Sequence, residues 1–393
     1  MSNSKMNILV VGNSGVGKST LINAISGTEA QTGVGESNTQ EISIYESNTW
    51  PMMLIDTKGF EYNHWEQQKT IKQIKKFTKK NLGNDENTNL GIDAVWFCVD
   101  GTSKRISDDH INMMNKAIKG WKNIPIFAVV TKSFSELEIE ENKQAVQEAF
   151  EKVDKTNLKN VIPVVAKPYA ITNEIVVQPR GIDELCLATI ECSEEAKSIS
   201  AENKLRMTLQ QKRYNANAIV VGATAAGIVV GAVPIPFADS FILIPIETGL
   251  TKSILKIYGV KFSGELISSL VGSTAITNVA KAAISSLKAI PNIASSVINA
   301  VVAGFFVAAL GEAVIGLAEA ICRGVIDVEK IDSVVNYTSE KLKENPMLGF
   351  VVEYIENNAD ELNGKSAKEI YKTIEKALKK AAITGNLKAK NKE

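Results

Sequence analysis

Gly12-Asn13-Ser14-Gly15-Val16-Gly17-Lys18-Ser19 fits the pattern Gly-x-x-x-x-Gly-Lys-[Ser/Thr], a loop that wraps phosphate. The apolar run Ile8-Leu9-Val10-Val11 before it reads as a buried strand. Thr20 to Ser26 after it reads as a short helix, closed by Gly27. Strand, glycine loop and helix are the context this motif needs. The glycines let backbone N–H groups from Asn13 to Thr20, through Ser14, Gly15, Val16 and Gly17, close around phosphate oxygens at the positive end of the helix. Lys18 then reaches the β- and γ-phosphates, and the Ser19 hydroxyl is a ligand for Mg²⁺.

The chain has 393 residues and no net formal charge. That length suits two domains, each with its own core. Neutrality removes any global field for nucleic acid, so such a partner is disfavoured. Two histidines are too few for a histidine-rich metal site. The four cysteines form no Cys-x-x-Cys pair, which suits reduced thiols in a cytoplasmic protein. No secretory leader is visible before the first strand. Composition changes near residue 200, from strands alternating with polar helices to long Ala/Gly/Val/Ile stretches. The expected organisation is an α/β domain with a mostly parallel, doubly wound sheet over 1–200, then an all-α domain over 201–393. The junction falls within 195–215.

Residues 27–40 read as a loop, and Ile42 to Tyr45 alternates as an edge-side strand. Met52-Met53-Leu54-Ile55 is a buried strand ending in Asp56-Thr57-Lys58-Gly59. A carboxylate at that point can hold the Mg²⁺ shell, and Gly59 can offer its N–H to the γ-phosphate. Together with the glycine loop and its Gly-Lys-Ser-Thr-Leu-Ile-Asn continuation, this resembles the translation-factor-class GTPases, close to the Era/TrmE-like group, over residues 5–195. The resemblance implies GTP and GDP as ligands, Mg²⁺ as cofactor, and a first-switch threonine on the metal: Thr39, with Thr32 as the alternative.

Other positions follow or depart from the family pattern. Phe60 stands where Ras-like members place a water-orienting glutamine, so the catalytic group is unassigned; Asn13, Glu61 and His64 are the candidates. Gly15 occupies the place of the asparagine of potassium-activated members. Trp65–Leu82 reads as a second-switch helix with a lysine row. After the strand Ile124–Val130, Thr131-Lys132-Ser133-Phe134 matches [Asn/Thr]-Lys-x-Asp in its first two residues, which implies base contacts from Thr131 and Lys132. Phe134 replaces the aspartate that reads guanine, with Ser135, Glu136 and Glu138 as candidate substitutes. After the strand Val161–Val165, Ala166-Lys167 resembles the turn that meets guanine O6. Helices are expected at Glu138–Lys152 and Gly181–Ser198.

In the second domain, Ala218–Ala238 is uncharged. Pro234 and Pro236 end its helix near Val233, short of a bilayer. Asn292–Gly311 is a second apolar stretch, and Glu312 and Glu319 follow it. Small residues in both allow close helix packing in lipid or in a bundle. The Val-Pro-Ile-Pro-Phe-Ala-Asp run resembles a helical domain attached to some bacterial Era-type GTPases and, more distantly, the helical part of immunity-related GTPases. Ser366–Lys380 reads as an amphipathic helix over Ile370, Ile374 and Leu378. From Lys365 onward lysines outnumber acids nine to three, which suits an anionic membrane surface.

The expected function is a Mg²⁺-dependent GTP-hydrolysing switch acting on a hydrophobic helical domain. Turnover is slow without a partner or self-association through G domains. The protein is cytoplasmic, with peripheral or integral membrane association. The competing readings are a nucleotide-binding module without turnover, a ribosome- or RNA-associated GTPase, and an ATP-using variant.

Overall fold

The computed structural model describes residues 5–27, 42–57, 92–103, 111, 124–152, 157–172, 176–192, 199–231, 243–287 and 294–383. The chain divides into two compact units, Met1–Lys212 and Arg213–Glu393.

Unit 1 is built on a six-stranded sheet in the order β2-β3-β1-β4-β5-β6. The strands are β1 (Met6–Val11), β2 (Ile42–Glu46), β3 (Met52–Thr57), β4 (Ala94–Asp100), β5 (Ile126–Thr131) and β6 (Leu158–Pro163). All neighbours are parallel except the edge pair β2–β3. Side chains alternate between two cores, because successive strand residues point to opposite faces. Ile8 and Val10 join Leu54, Trp96, Phe127 and Ile162 on one face. Leu9 and Val11 join Ile55, Phe97, Ala128 and Val161 on the other. Helices α1 (Lys18–Ser26) and α3 (Ile182–Glu191) cover the first face. Helix α2 (Ile139–Glu151) covers the second, where Phe150 meets Phe97 edge-to-face at 5.6 Å.

The strand expected at Val161–Val165 lies instead at Leu158–Pro163. Lys159 and Asn160 are exposed on this edge strand, so no apolar run marks its start. Val165 leaves the ladder to pair with Arg180. A two-stranded hairpin, β7 (Tyr169–Ala170) and β8 (Val176–Val177), lies between these two residues.

Helix α4 (Ala201–Gly231) runs from the expected junction into the apolar stretch that starts at Ala218. Its 31 residues form one element, since no proline occurs before Pro234. In unit 1, Gln211 of α4 accepts from Trp50 Nε1 at 3.1 Å and donates to Ala24 O at 2.8 Å. Trp96 Nε1 donates to Thr189 Oγ1 at 2.9 Å, tying the sheet to α3.

Unit 2 is helical: the remainder of α4, then α5 (Ile244–Tyr258), α6 (Gly264–Val271), α7 (Thr274–Leu287), α8 (Ser295–Cys322), α9 (Ile331–Glu344), α10 (Pro346–Asn357), α11 (Ala359–Leu362) and α12 (Ala367–Ile383). Helix α8 is its axis and packs against α5, α7, α9, α10 and α12. The apolar stretch to Gly311 and the segment after it that carries Glu312 and Glu319 form one helix, ending at Cys322. Its acids find partners inside the bundle. Arg213 Nε and Nη2 donate to the two Glu319 oxygens at 2.8 and 3.0 Å, and Nη1 reaches Glu312 at 3.2 Å. Tyr258 OH adds a third donor to Glu319 at 3.1 Å. Glycines on α8 admit α4 closely: a Cβ on Gly311 would lie 2.6 Å from Val220, and one on Gly304 would lie 2.5 Å from Ile228. Helix α12 begins with a capping box, in which Ser366 N and Oγ donate to Glu369 at 2.9 and 2.6 Å. Its Ile370 and Ile374 are buried.

Candidate functional site

The strand order reverses at β1: the chain first builds β3 on one side of it, then β4 on the other. Ligands bind open α/β sheets outside the carboxyl ends of the strands at such a point. The loop Gly12–Gly17 leaves β1 there. Gly12 adopts φ 146°, and a Cβ on it would stand 2.5 Å from Cys98 O of β4. Gly17, with φ 103°, caps α1. Only a residue without a Cβ lets the chain turn this tightly against the neighbouring strand.

Lys18 is 8% exposed, and its Nζ donates to Gly12 O and Asn13 O at 2.9 Å each. The ammonium therefore sits inside the curl of the loop. Burial lowers its pKa, opposed by the charge of Asp56. Cys98 is itself fully enclosed, and burial pushes its thiol up to about 12. It stays neutral and packs the floor of the site. Asn13 is half-buried, Ser14, Gly15 and Ser19 are exposed, Thr20 is half-buried, and Val16 is buried in the core beneath.

Asp56, next to last in β3, is in register with Val10 of β1, which brings a carboxylate beside the loop. The Ser19 hydroxyl and the Asp56 carboxylate are hard oxygen donors, the set that suits Mg²⁺. This ion takes one or two protein oxygens and completes its shell with phosphate and water. Among the described residues no group of three or more His, Cys, Asp or Glu forms an all-protein metal cage. Thr39, Thr32, Gly59, Phe60, Glu61, His64 and the Trp65–Leu82 segment lie outside the described residues.

Thr131 and Lys132 brace the loop. Thr131 Oγ1 contacts Val16 O and donates to Val99 O at 2.9 Å. Lys132 has φ 53°, the left-handed region, unlike every other described residue except glycines. Its Nζ donates to Gly15 O at 2.8 Å and to Asp100 Oδ2 at 2.6 Å. Hydrogen bonds from Lys132 and Thr102 outweigh burial and hold the Asp100 carboxyl below its usual range. Phe134 lies parallel on Tyr169, with centroids 3.8 Å apart. Arg180 donates to Glu136 Oε1 at 2.8 Å and to Ser133 O at 2.7 Å. Ala166 is half-buried and Lys167 exposed in the turn beside them. Ser135 is half-buried, and Glu138 precedes α2.

Asp100, Tyr169 and Arg180 escape the sequence reading. Asp100 carried a usable signal: like Asp56, it is an acid at the carboxyl end of a buried strand. Tyr169 and Arg180 act through partners distant in sequence, and no local pattern marks them.

Residues 7–132 match the family described as 50S ribosome-binding GTPase. The first unit is a G domain of the P-loop GTPase class. No curated protein matches the chain. Among solved structures, the chain is similar to a probable GTP-binding protein engB, at 21% identity over 48% of this chain and 99% of that one, with a TM-score of 0.32. Toc33 from Arabidopsis thaliana in complex with GDP and Mg²⁺ matches at 13% identity over 49% and 85% of the two chains, TM-score 0.35. A GDP-bound NFeoB mutant from S. thermophilus matches at 14% over 86% and 97%, TM-score 0.33.

Proposed function

We propose that the chain is a Mg²⁺-dependent GTP-binding and GTP-hydrolysing switch of the Era/TrmE-like kind, whose G domain over residues 1–200 controls the hydrophobic helical domain over 201–393. The observation that carries this reading is the Gly12–Ser19 loop with the buried Lys18 ammonium at its centre, set beside Asp56 at the carboxyl edge of the sheet. Backbone N–H groups from Asn13 to Thr20 receive the phosphates. Lys18 neutralises the β- and γ-oxygens in place of the carbonyls it now meets. Ser19, Asp56 and Thr39 would hold the metal, which would neutralise charge on the phosphates, and Gly59 would meet the γ-phosphate. Thr131, Lys132, Ala166 and Lys167 bound the base. Phe60 cannot orient water, so unassisted turnover is slow and rises on self-association.

The test is phosphate release by the full chain with GTP and Mg²⁺. Many phosphates per protein support the switch. Tight binding with no turnover would replace it by a binding module.

The helical domain is assigned to an anionic membrane as a peripheral, nucleotide-dependent partner. Among the described residues, one helix, Ser296–Cys322, is long and apolar enough to cross a bilayer, and 89% of its most apolar window is buried. Detergent-free protein should float with anionic liposomes in one nucleotide state and not the other. Flotation in neither state would leave a cytosolic helical domain.

A further inference from the structure

The phosphate end of the site leads directly to the loop after β5. Thr131 and Lys132 both touch the phosphate loop, and a Cβ on Gly17 would lie 3.6 Å from Thr131 Cβ and 4.0 Å from Lys132 Cε. A nucleoside extending from the phosphates along this edge therefore runs over the lysine stem. It then meets the residues that follow Lys132 and the turn after β6.

Three polar side chains there, Ser133, Asp100 and Glu136, are already engaged. Ser133 donates inward to Val130 O at 2.7 Å, and its N–H points to Val164 O. Asp100 is held by Lys132 and Thr102. Glu136 is held by Arg180, whose second arm fixes Ser133 O and whose backbone pairs with Val165. Beside the lysine stem this loop presents an aromatic pair, Phe134 stacked on Tyr169 at 9°, with Tyr169 43% exposed.

The two purines differ on one edge. Guanine offers N1–H and an amino group there as donors; adenine offers an N1 acceptor and a 6-amino donor. A carboxylate facing that edge accepts from guanine and repels adenine. A site built on such hydrogen bonds can discriminate by about 10⁴–10⁵, whereas shape and apolar contact give about 10–200-fold at most. Aromatic faces attract any base, because every base has a π-face.

Building on the GTP-switch reading, we infer that this site takes purine nucleoside triphosphates as a class, ATP as well as GTP. The base is held by the Lys132 stem and the Phe134–Tyr169 stack, with no carboxylate reading its edge. Arg180 is the positioning residue that keeps Glu136 away from the base.

The experiment is competition on the full chain in Mg²⁺, with a ribose-labelled GTP displaced by unlabelled GTP, ATP and CTP. GTP and ATP should displace it within about tenfold of each other, with CTP weaker because a single ring covers less of the stack. Phe134→Asp should shift the GTP-to-ATP ratio toward guanine by tenfold or more. Tyr169→Ala should weaken both purines by the same factor and leave their ratio unchanged; it keeps the test open if the first variant fails to fold. Arg180→Lys should hold the wild-type ratio, whereas Arg180→Ala, which removes the ion pair to Glu136, should raise it. ATP bound a hundredfold or more weaker than GTP by the wild type overturns this inference alone. No triphosphate bound at all overturns the switch reading and this inference with it.

Discussion

Glu247 lies in the first turn of α5, 5% exposed, in the helical unit. Burial alone pushes its carboxyl from 4.5 up to about 7. One turn further on, Thr251 is fully buried with an unbonded hydroxyl. The folded state therefore binds the Glu247 proton more tightly than the unfolded chain does. Between about pH 4.5 and pH 7 the native state carries more protons, so stability falls as pH rises through that window and is lowest above it. A shift of this size corresponds to about 3 kcal/mol at 1.36 kcal/mol per unit. The positive end of the α5 dipole favours the anion by roughly 0.3–1 kcal/mol, so about 2–3 kcal/mol is the expected range. Glu247→Gln removes the ionisation while keeping the shape. It should stabilise unit 2 by that amount at pH 8 and by little at pH 4.5. The assay is urea denaturation of the full chain, wild type against variant, at several pH values. Helix loss is followed by far-UV circular dichroism, and unit 1 separately by fluorescence, since Trp50, Trp65, Trp96 and Trp121 all belong to it. The wild-type-minus-variant difference isolates this carboxyl from all others. A difference that stays flat from pH 4.5 to pH 8 refutes the reasoning, as does one that appears in the tryptophan transition instead.

Lys18→Ala should weaken triphosphate binding at least a hundredfold by calorimetry with an unchanged dichroism spectrum, since the residue contributes charge to the loop rather than packing. Arg213→Ala leaves Glu319, 19% exposed, with Tyr258 as its one side-chain partner among the described residues. Unit 2 should lose roughly 1–2 kcal/mol, a figure discounted because the arginine side chain is 39% exposed. Gln211→Ala orphans the Trp50 indole N–H and the Ala24 carbonyl; unit 1 should lose about 1–3 kcal/mol, read from its tryptophan-detected midpoint.

The strand, glycine loop and helix around Gly12–Ser19 were legible because their whole signal is local. Eight consecutive residues, an apolar run before them and a helix after them specify the loop without any distant contact. The parallel sheet was legible for a related reason: central strands such as β4 and β5 are buried along nearly their whole length and read as unbroken apolar runs. The start of the edge strand β6 escaped because Lys159 and Asn160 break that run. The surroundings of Phe134 were opaque for a different reason. The replacement at Phe134 was visible, but its consequence depends on Tyr169 and on Arg180, whose partner Glu136 is 44 residues away. Pairings of that kind are decided by how two loops meet, which no local pattern encodes.

The apolar stretches of unit 2 were ambiguous because composition alone does not separate a core helix from a membrane span: both are Ala, Val, Ile, Leu and Gly. What separates them here is the fate of Glu312 and Glu319. On a lone span these two carboxylates, seven residues apart on one face of α8, would have to be satisfied within hydrocarbon. In the bundle, Arg213 takes both and Tyr258 adds a donor to one. The close approach of α4 at Gly304 and Gly311 is what brings Arg213 within reach of them. The same two features therefore make α8 a good core helix and a poor span. They also limit how the helical unit can meet a membrane. Any movement that presented α8 to lipid would first have to separate Arg213 from both acids and expose the glycine-lined crossing. A surface contact through the Lys368, Lys372 and Lys376 row of α12, exposed on the side opposite the buried Ile370 and Ile374, needs neither step.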